Sequence, residues 1–149
     1  KLPNSNQGTY LKRFFGEALD QPETPCFSHL PRWTTTAKAK QFYSNSLNAE
    51  LSGKSMEVME ASLPKEINKM HYFNRAQYIE SKSLMSGYLL TSQGDRMLAK
   101  NSVEGRFPFL DHRVIEFANK VPPKYKMKGL NEKSLLKKAQ LPKLAKAIS

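Results

Sequence analysis

Cysteine occurs once, at position 26, so the 149-residue chain can form neither an internal disulfide nor an all-cysteine zinc cage. That usage fits a reducing compartment. With no histidine or nucleophile signature around it, Cys26 reads as an inert buried thiol. Valine and isoleucine are scarce, four of each and scattered, so a large parallel sheet lacks the branched aliphatic runs it is built from. No apolar run approaches the roughly 18 residues of a membrane helix, and the opening KLPNSNQGTY has no signal-peptide layout. Also missing are a GxxxxGK[ST] or GxGxxG phosphate loop, metal-ligand spacing among His29, His71 and His112, and any internal repeat. The three histidines read as surface or packing residues. Leu, Ile, Val and Phe together reach 33 residues, about 22%, just above the level at which charged chains stay disordered. The expectation is one soluble, all-α domain with a modest core.

Acidic residues are few, and fewest toward the C-terminus. The net charge is +11, yet the first 36 residues carry only +1, whereas Asn119 to Ser149 hold nine lysines against the single acid Glu132. Such an end attracts polyanions through its long-range field: nucleic acid, nucleotide phosphates or acidic membranes. A solvated lysine face is the plainer reading. No aromatic alternates with the lysines after Lys126 and no known nucleic-acid-binding motif is present, so a basic nucleic-acid module is the runner-up.

The pattern along the chain is helical. Thr9 is placed to cap a helix to about Ala18 with Leu11, Phe14, Phe15 and Ala18 on one face, stopped at Asp20-Gln21-Pro22. Glu23 to Trp33, preceded by Pro22 and holding Pro25 and Pro31, predicts an irregular segment pinned by Phe27, Leu30 and Trp33. Short helices follow: Thr34 or Thr35 to Tyr43, Asn45 to Leu51, Ser55 to Ala61 capped by Ser55, and a turn opened by Pro64. A central helix is predicted from an Asn74 cap to Leu90, with Leu84, Met85, Tyr88 and Leu89 as its apolar stripe. Arg75, Gln77, Glu80 and Lys82 face water in this reading. After a break at Thr91–Gly94, Gly94 to Lys100 is helical, and VEGRFPFLD cannot be. Asp111 then caps a helix buried through Val114, Ile115, Ala118 and Val121, with Leu110 and Ile115 as a staple. Asn131 is given the same role, with Leu130 and Leu135 as staple and Lys137-Lys138 near the C-terminal end.

One segment carries chemistry. Asp95, Arg96, Glu104, Arg106 and Asp111 lie among large apolar residues at a helix-to-loop break, where charges must pair or shift their ionisation. Asp111 is accounted for as a cap. For the other four, a structural network and a functional site are both open.

The run LMSGYLLTSQGDRM (84–97), continued by AKNSVEGRFPFLDHR (99–113), resembles the synthetase domain of glutamine-dependent asparagine synthetase. GLNEK (129–133) and FSHLPRW (27–33) resemble that family too, so the likeness spans most of the chain. It implies the helical, C-terminal part of an α/β synthetase domain of the ATP pyrophosphatase type, related to the adenine-nucleotide alpha-hydrolases. The implied reaction activates the aspartate side chain with ATP and Mg2+ as β-aspartyl-AMP, releases pyrophosphate, and lets ammonia from glutamine displace AMP. Such a site must neutralise two anions and exclude water. By the resemblance, Asp95 and Arg96 border nucleotide or aspartate, Glu104 fixes or polarises the attacking amine, and Arg106 holds the network. Gln93 stands where the family often has Lys or Arg.

The family's SGGxDS pyrophosphate loop, its SGEG[AS]DE-type segment and its glutaminase domain with a first-residue Cys are not in this sequence, and Cys26 cannot replace that nucleophile. The lysine expected after LNEK would fall beyond Ser149. The expectation is therefore an excised piece of a cytoplasmic ligase, without turnover and with weak ATP affinity alone. Its partners would be the rest of the synthetase domain and the glutaminase domain. Alternatives are a related amide-forming enzyme of the β-lactam synthetase kind, the basic module above, or a helical subdomain covering the nucleotide half and prone to unfold or aggregate by itself.

Overall fold

The computed structural model describes residues 5–16, 22–129 and 131–148, and among them the architecture is all-α apart from one two-stranded hairpin. The chain divides into two compact units, Lys1–Ser83 and Leu84–Ser149. No helix among the described residues is long and apolar enough to cross a membrane.

The first unit opens with α1, Ser5–Phe15, a turn earlier than a Thr9 cap allows. Phe14 packs edge-on against Phe15, centroids 4.9 Å apart. Its predicted end, with Ala18, Asp20 and Gln21, lies outside the described residues. The segment predicted as irregular is helical from Phe27: a 3-10 turn, Phe27–His29, leads into α2, Leu30–Ala37. Pro31 starts this helix instead of breaking it, because in the first turn its missing N–H leaves no bond unmade. The residues that pin it are Cys26 and His29, not the aromatics. After a 3-10 turn over Lys38–Phe42 come α3, Asn45–Leu51, and α4, Lys54–Ala61. Ser44 caps α3, accepting from the Leu47 N–H at 3.3 Å. Gly53, at φ +76°, and not Ser55, precedes α4; Ser55 Oγ instead accepts from Lys40 Nζ at 3.1 Å. Pro64 opens a 3-10 turn over Lys65–Lys69 as predicted.

The central helix, α5, spans Tyr72–Glu80 and is capped by His71, whose Nδ1 accepts from the Phe73 N–H at 3.2 Å; Asn74 sits inside it. Arg75, expected in water, is buried at 9% exposure. Its guanidinium can be buried because the Glu23 carbonyl and Asn68 Oδ1 accept from it, both at 3.4 Å. Cys26, Ile67 and Ile79 form the buried apolar core of this unit among the described residues.

Ser81–Asp95 winds as a π-helix with no break at Thr91–Gly94. Side chains bond at the matching spacing of five: Thr91 Oγ1 donates to the Ser86 carbonyl at 2.6 Å and Gln93 Nε2 to Tyr88 Oη at 2.8 Å. The predicted stripe assumed α winding. The wider turn leaves Tyr88 and Leu89 exposed and Leu84, Met85 and Leu90 half-buried.

In the second unit α6, Arg96–Lys100, ends in a Schellman motif: the Val103 N–H donates to the Leu98 carbonyl at 3.0 Å and the Ser102 N–H to that of Ala99 at 3.2 Å, with Ser102 at φ +52°. VEGRFPFLD is non-helical apart from a 3-10 turn over Pro108–Leu110. Asp111 caps α7, His112–Lys120, as expected. However, Val114, Ile115 and Ala118 are exposed, so the side read as buried faces solvent among the described residues. After α8, Pro123–Lys126, strands β1, Met127–Lys128, and β2, Asn131–Glu132, pair antiparallel, Met127 opposite Glu132. Asn131 is thus a strand residue and not a cap. Gly129 at φ +58° supplies the left-handed position the tight turn needs, and Leu130 lies outside the described residues. The last helix, α9, Ser134–Ile148, places Lys137 and Lys138 near its start rather than its end.

Candidate active site

The four ionisable residues singled out in the sequence all lie in the second unit. Asp95 closes the π-helix and Arg96 opens α6; both side chains are exposed, and Asp95 makes no capping bond. The Schellman turn reverses the chain so that Val103 to Arg106 runs back over α6. Glu104 Oε1 then meets Arg106 Nη2 at 2.6 Å, with the side chains 74% and 81% exposed.

The Phe107 ring lies beside the glycines next to these residues. A methyl group added at Gly105 would stand 3.0 and 3.1 Å from Phe107 Cε2 and Cζ and collide with Leu98 Cδ1. One added at Gly94 would lie 4.0 Å from the same Cζ. The ring edge therefore rests beside both glycines. One glycine precedes Asp95 and the other separates Glu104 from Arg106. A side chain at Gly105 has no room, which is the local reason for a glycine between the two charges. Asp95, Arg96 and the Glu104–Arg106 ion pair are all solvent-accessible.

Asp111 stands apart from this chemistry. It accepts from the Arg113 N–H at 2.9 Å and from Arg113 Nε and Nη2 at 3.0 and 2.9 Å. Those bonds hold its carboxyl below the usual range.

A second cluster, missed in the sequence, occupies the first unit. His29, 5% exposed, bonds through Nε2 to Glu80 Oε2 at 2.9 Å, while Arg32 forks onto the same carboxylate at 2.6 and 3.3 Å. Ser28 Oγ lies 2.9 Å from His29 Nδ1. Glu80, expected in water, is thus a strut between the start of α2 and the end of α5. The available signal was His29 and Arg32 three apart on one helical turn, though their acid lies about 50 positions away. Burial holds the His29 imidazole below its ordinary value against the opposing Glu80 bond, and Arg32 holds Glu80 below its own.

Both shifts have the same consequence with pH. The unfolded chain binds protons that the folded one refuses, so stability falls on acidification, first below about 6.5 through His29 and again below about 4.3 through Glu80. In Glu80→Gln the second step disappears. The first deepens, because His29 loses the acceptor that favours its charged form. Urea midpoints between pH 4 and 8 are expected to show this, with a loss of about 1–2 kcal/mol at pH 7 after allowing for the partial exposure of Glu80. An unchanged pH profile would remove the strut.

Among the described residues no group of three His, Cys, Asp or Glu could hold a metal ion.

A profile of the asparagine synthase family matches residues 2–148. The amidase chyE of Penicillium rubens is 44% identical over 64 residues, 43% of this chain and 10% of that protein. The amidase chry2 of Gibberella zeae is 37% identical across 51% of this chain and 12% of its own length. Asparagine synthetase 1 (glutamine-hydrolysing) of Bacillus subtilis is 40% identical over 80 residues, 54% of this chain and 12% of its own length. No solved structure matches. The chain belongs to the asparagine synthase family, as the 84–113 run indicated, and it spans only 10–12% of the length of these three relatives.

Proposed function

We propose that these residues are the helical part of a synthetase domain that amidates the aspartate side chain by way of β-aspartyl-AMP, with ammonia drawn from glutamine. The observation that supports this is the Glu104–Arg106 ion pair, with Gly94 and Gly105 both beside the Phe107 ring, inside a chain of the asparagine synthase family. ATP, as substrate, would bring the adenylyl group that turns a poor leaving oxygen into a good one. The exposed Arg96 would offset the phosphate and carboxylate charge. Glu104 would take a hydrogen bond, then a proton, from the amine as it attacks. Arg106, 2.6 Å from Glu104, would hold that carboxylate in place.

The two fungal relatives named amidases support a second reading, in which the amide is handled on a different acyl group. The test separates them. The full-length protein carrying this chain, given ATP and glutamine, is expected to release pyrophosphate and form asparagine when aspartate is added. Pyrophosphate release with another carboxylic acid and none with aspartate would transfer the proposal to the second reading.

A further inference from the structure

The helix that ends in Asp95 is wound in an unusual way. Ser81–Asp95 is π-helical over 15 residues, whereas i→i+5 winding ordinarily appears as single-turn bulges inside α-helices, frequently at functional sites. Side-chain bonds show where the wide coil is held. Near its start they keep α spacing: Ser81 Oγ donates to the Gln77 carbonyl at 2.8 Å and Ser83 Oγ to that of Ile79 at 2.6 Å, each four residues back. Toward its end the spacing becomes five, in Thr91 Oγ1 to the Ser86 carbonyl at 2.6 Å and Gln93 Nε2 to Tyr88 Oη at 2.8 Å. Gly94 belongs to the same coil. A methyl group added there would stand 3.3 Å from the Leu89 carbonyl oxygen, again five residues back, so a side chain at this position crowds the π turn.

The same residues also carry a pattern for the narrower winding. Leu84, Met85, Tyr88 and Leu89 recur at i, i+1, i+4 and i+5, which gathers them into one stripe at about 3.6 residues per turn. The two windings differ in what they permit. In an α-helix residues five apart stand about 140° from each other, so Gln93 would not reach Tyr88, while Thr91 would move its bond to the carbonyl four residues back. The Tyr88–Gln93 bond is therefore the side-chain contact that belongs to the π winding alone. We propose that this bond is a latch on a two-register helix, and that Gln93 is a positioning residue for Asp95. From Tyr88 to Asp95 the chain completes about two turns as α-helix and nearer one and a half as π-helix, so releasing the latch swings Asp95 by roughly a third of a turn relative to Tyr88. Elements with two discrete arrangements turn small local changes into such shifts. The winding stands on the contacts above; its effect on synthesis rests on the amidation proposed for this site.

Two readouts in the full-length protein test it. Nitroxide labels carried on p-acetylphenylalanine in place of Ser86 and Ala99, both exposed, report the winding through their dipolar distance and leave Cys26 untouched. With the latch intact one short distance is expected. Tyr88→Phe and Gln93→Ala are each expected to add a population about 3 Å longer, since α winding rises further per residue, and Gly94→Ala to add the same population. Gln93→Glu keeps the short distance, because a carboxylate accepts from the Tyr88 hydroxyl. The Tyr88→Phe and Gln93→Ala changes together shift it no further than either alone, as the two partners of one bond should. Asparagine formation is expected to follow, down about tenfold in Gln93→Ala and in Tyr88→Phe and restored in Gln93→Glu. A long distance already present with the latch intact, one distance in every variant, or an equal shift in Gln93→Glu and Gln93→Ala would overturn the latch. Shifted distances with full asparagine formation would overturn the positioning role. A full-length protein that made no asparagine at all would count against the amidation reading, while the distances would still decide the winding.

Discussion

Glu104→Gln in the full-length protein is expected to lower asparagine formation by about 10²- to 10⁴-fold while aspartate-dependent pyrophosphate release stays within a few-fold of normal. Glutamine keeps the size and the hydrogen-bonding reach of the side chain but cannot take a proton from the attacking amine. In the proposed reaction adenylation would come before that attack and ask nothing of Glu104, so only the second half-reaction would suffer. The Arg106 contact at 2.6 Å is weakened too, but between side chains 74% and 81% exposed it contributes at most about 1 kcal/mol. The thermal midpoint is therefore expected to hold nearly constant, which separates a chemical loss from a folding loss. Pyrophosphate assays beside amide quantification decide it. If both half-reactions fell in parallel, Glu104 would belong to substrate binding and the amine would need another acceptor.

Two readings that used contacts within a few residues held. The Asp111 cap depends on one N–H two positions away, and the structure makes that bond. Gly105 and Pro108 interrupt helix on backbone grounds alone, and they do so here. The failures have more than one cause. His71 took the cap assigned to Asn74 because imidazole Nδ1 can accept as a carboxamide does, and the usual list of capping residues leaves it out. Arg75 and Glu80 were assigned to water by the helical wheel, which cannot see the Asn68 side chain or His29 and Arg32 arriving from elsewhere in the chain. The apolar side of α7 shows the opposite error. The period was right and burial did not follow, since a stripe reports what a helix can bury and not whether its cover lies among these residues. In the candidate site the four charges could be named from the text, and the ion pair is one of the alternatives the text left open. The position of the Phe107 ring beside both Gly94 and Gly105 depends on a fold-back that no local pattern encodes.

That ring position makes Gly105→Ala the most informative structural change. The added methyl would collide with Leu98 Cδ1 and press on Phe107 at 3.0 and 3.1 Å. The end of Leu98 is flexible and can turn away. The ring is a rigid plate that must swing, and its Cζ also lies beside Gly94, the residue before Asp95. A cost of about 1–3 kcal/mol is expected from overpacking, toward the low end because Phe107 is only partly buried. Displacing the charges by even an ångström is expected to take about 10²-fold from amide synthesis. Gly87→Ala is the control: nothing lies within 4 Å of its added methyl, and it should leave both readouts close to wild type. Adding Leu98→Ala to Gly105→Ala removes one of the two clashes and leaves the ring contact. If the ring contact is what matters, the double variant regains stability but not synthesis; recovery of both would show that Leu98, and not Phe107, holds the two halves of the site in register.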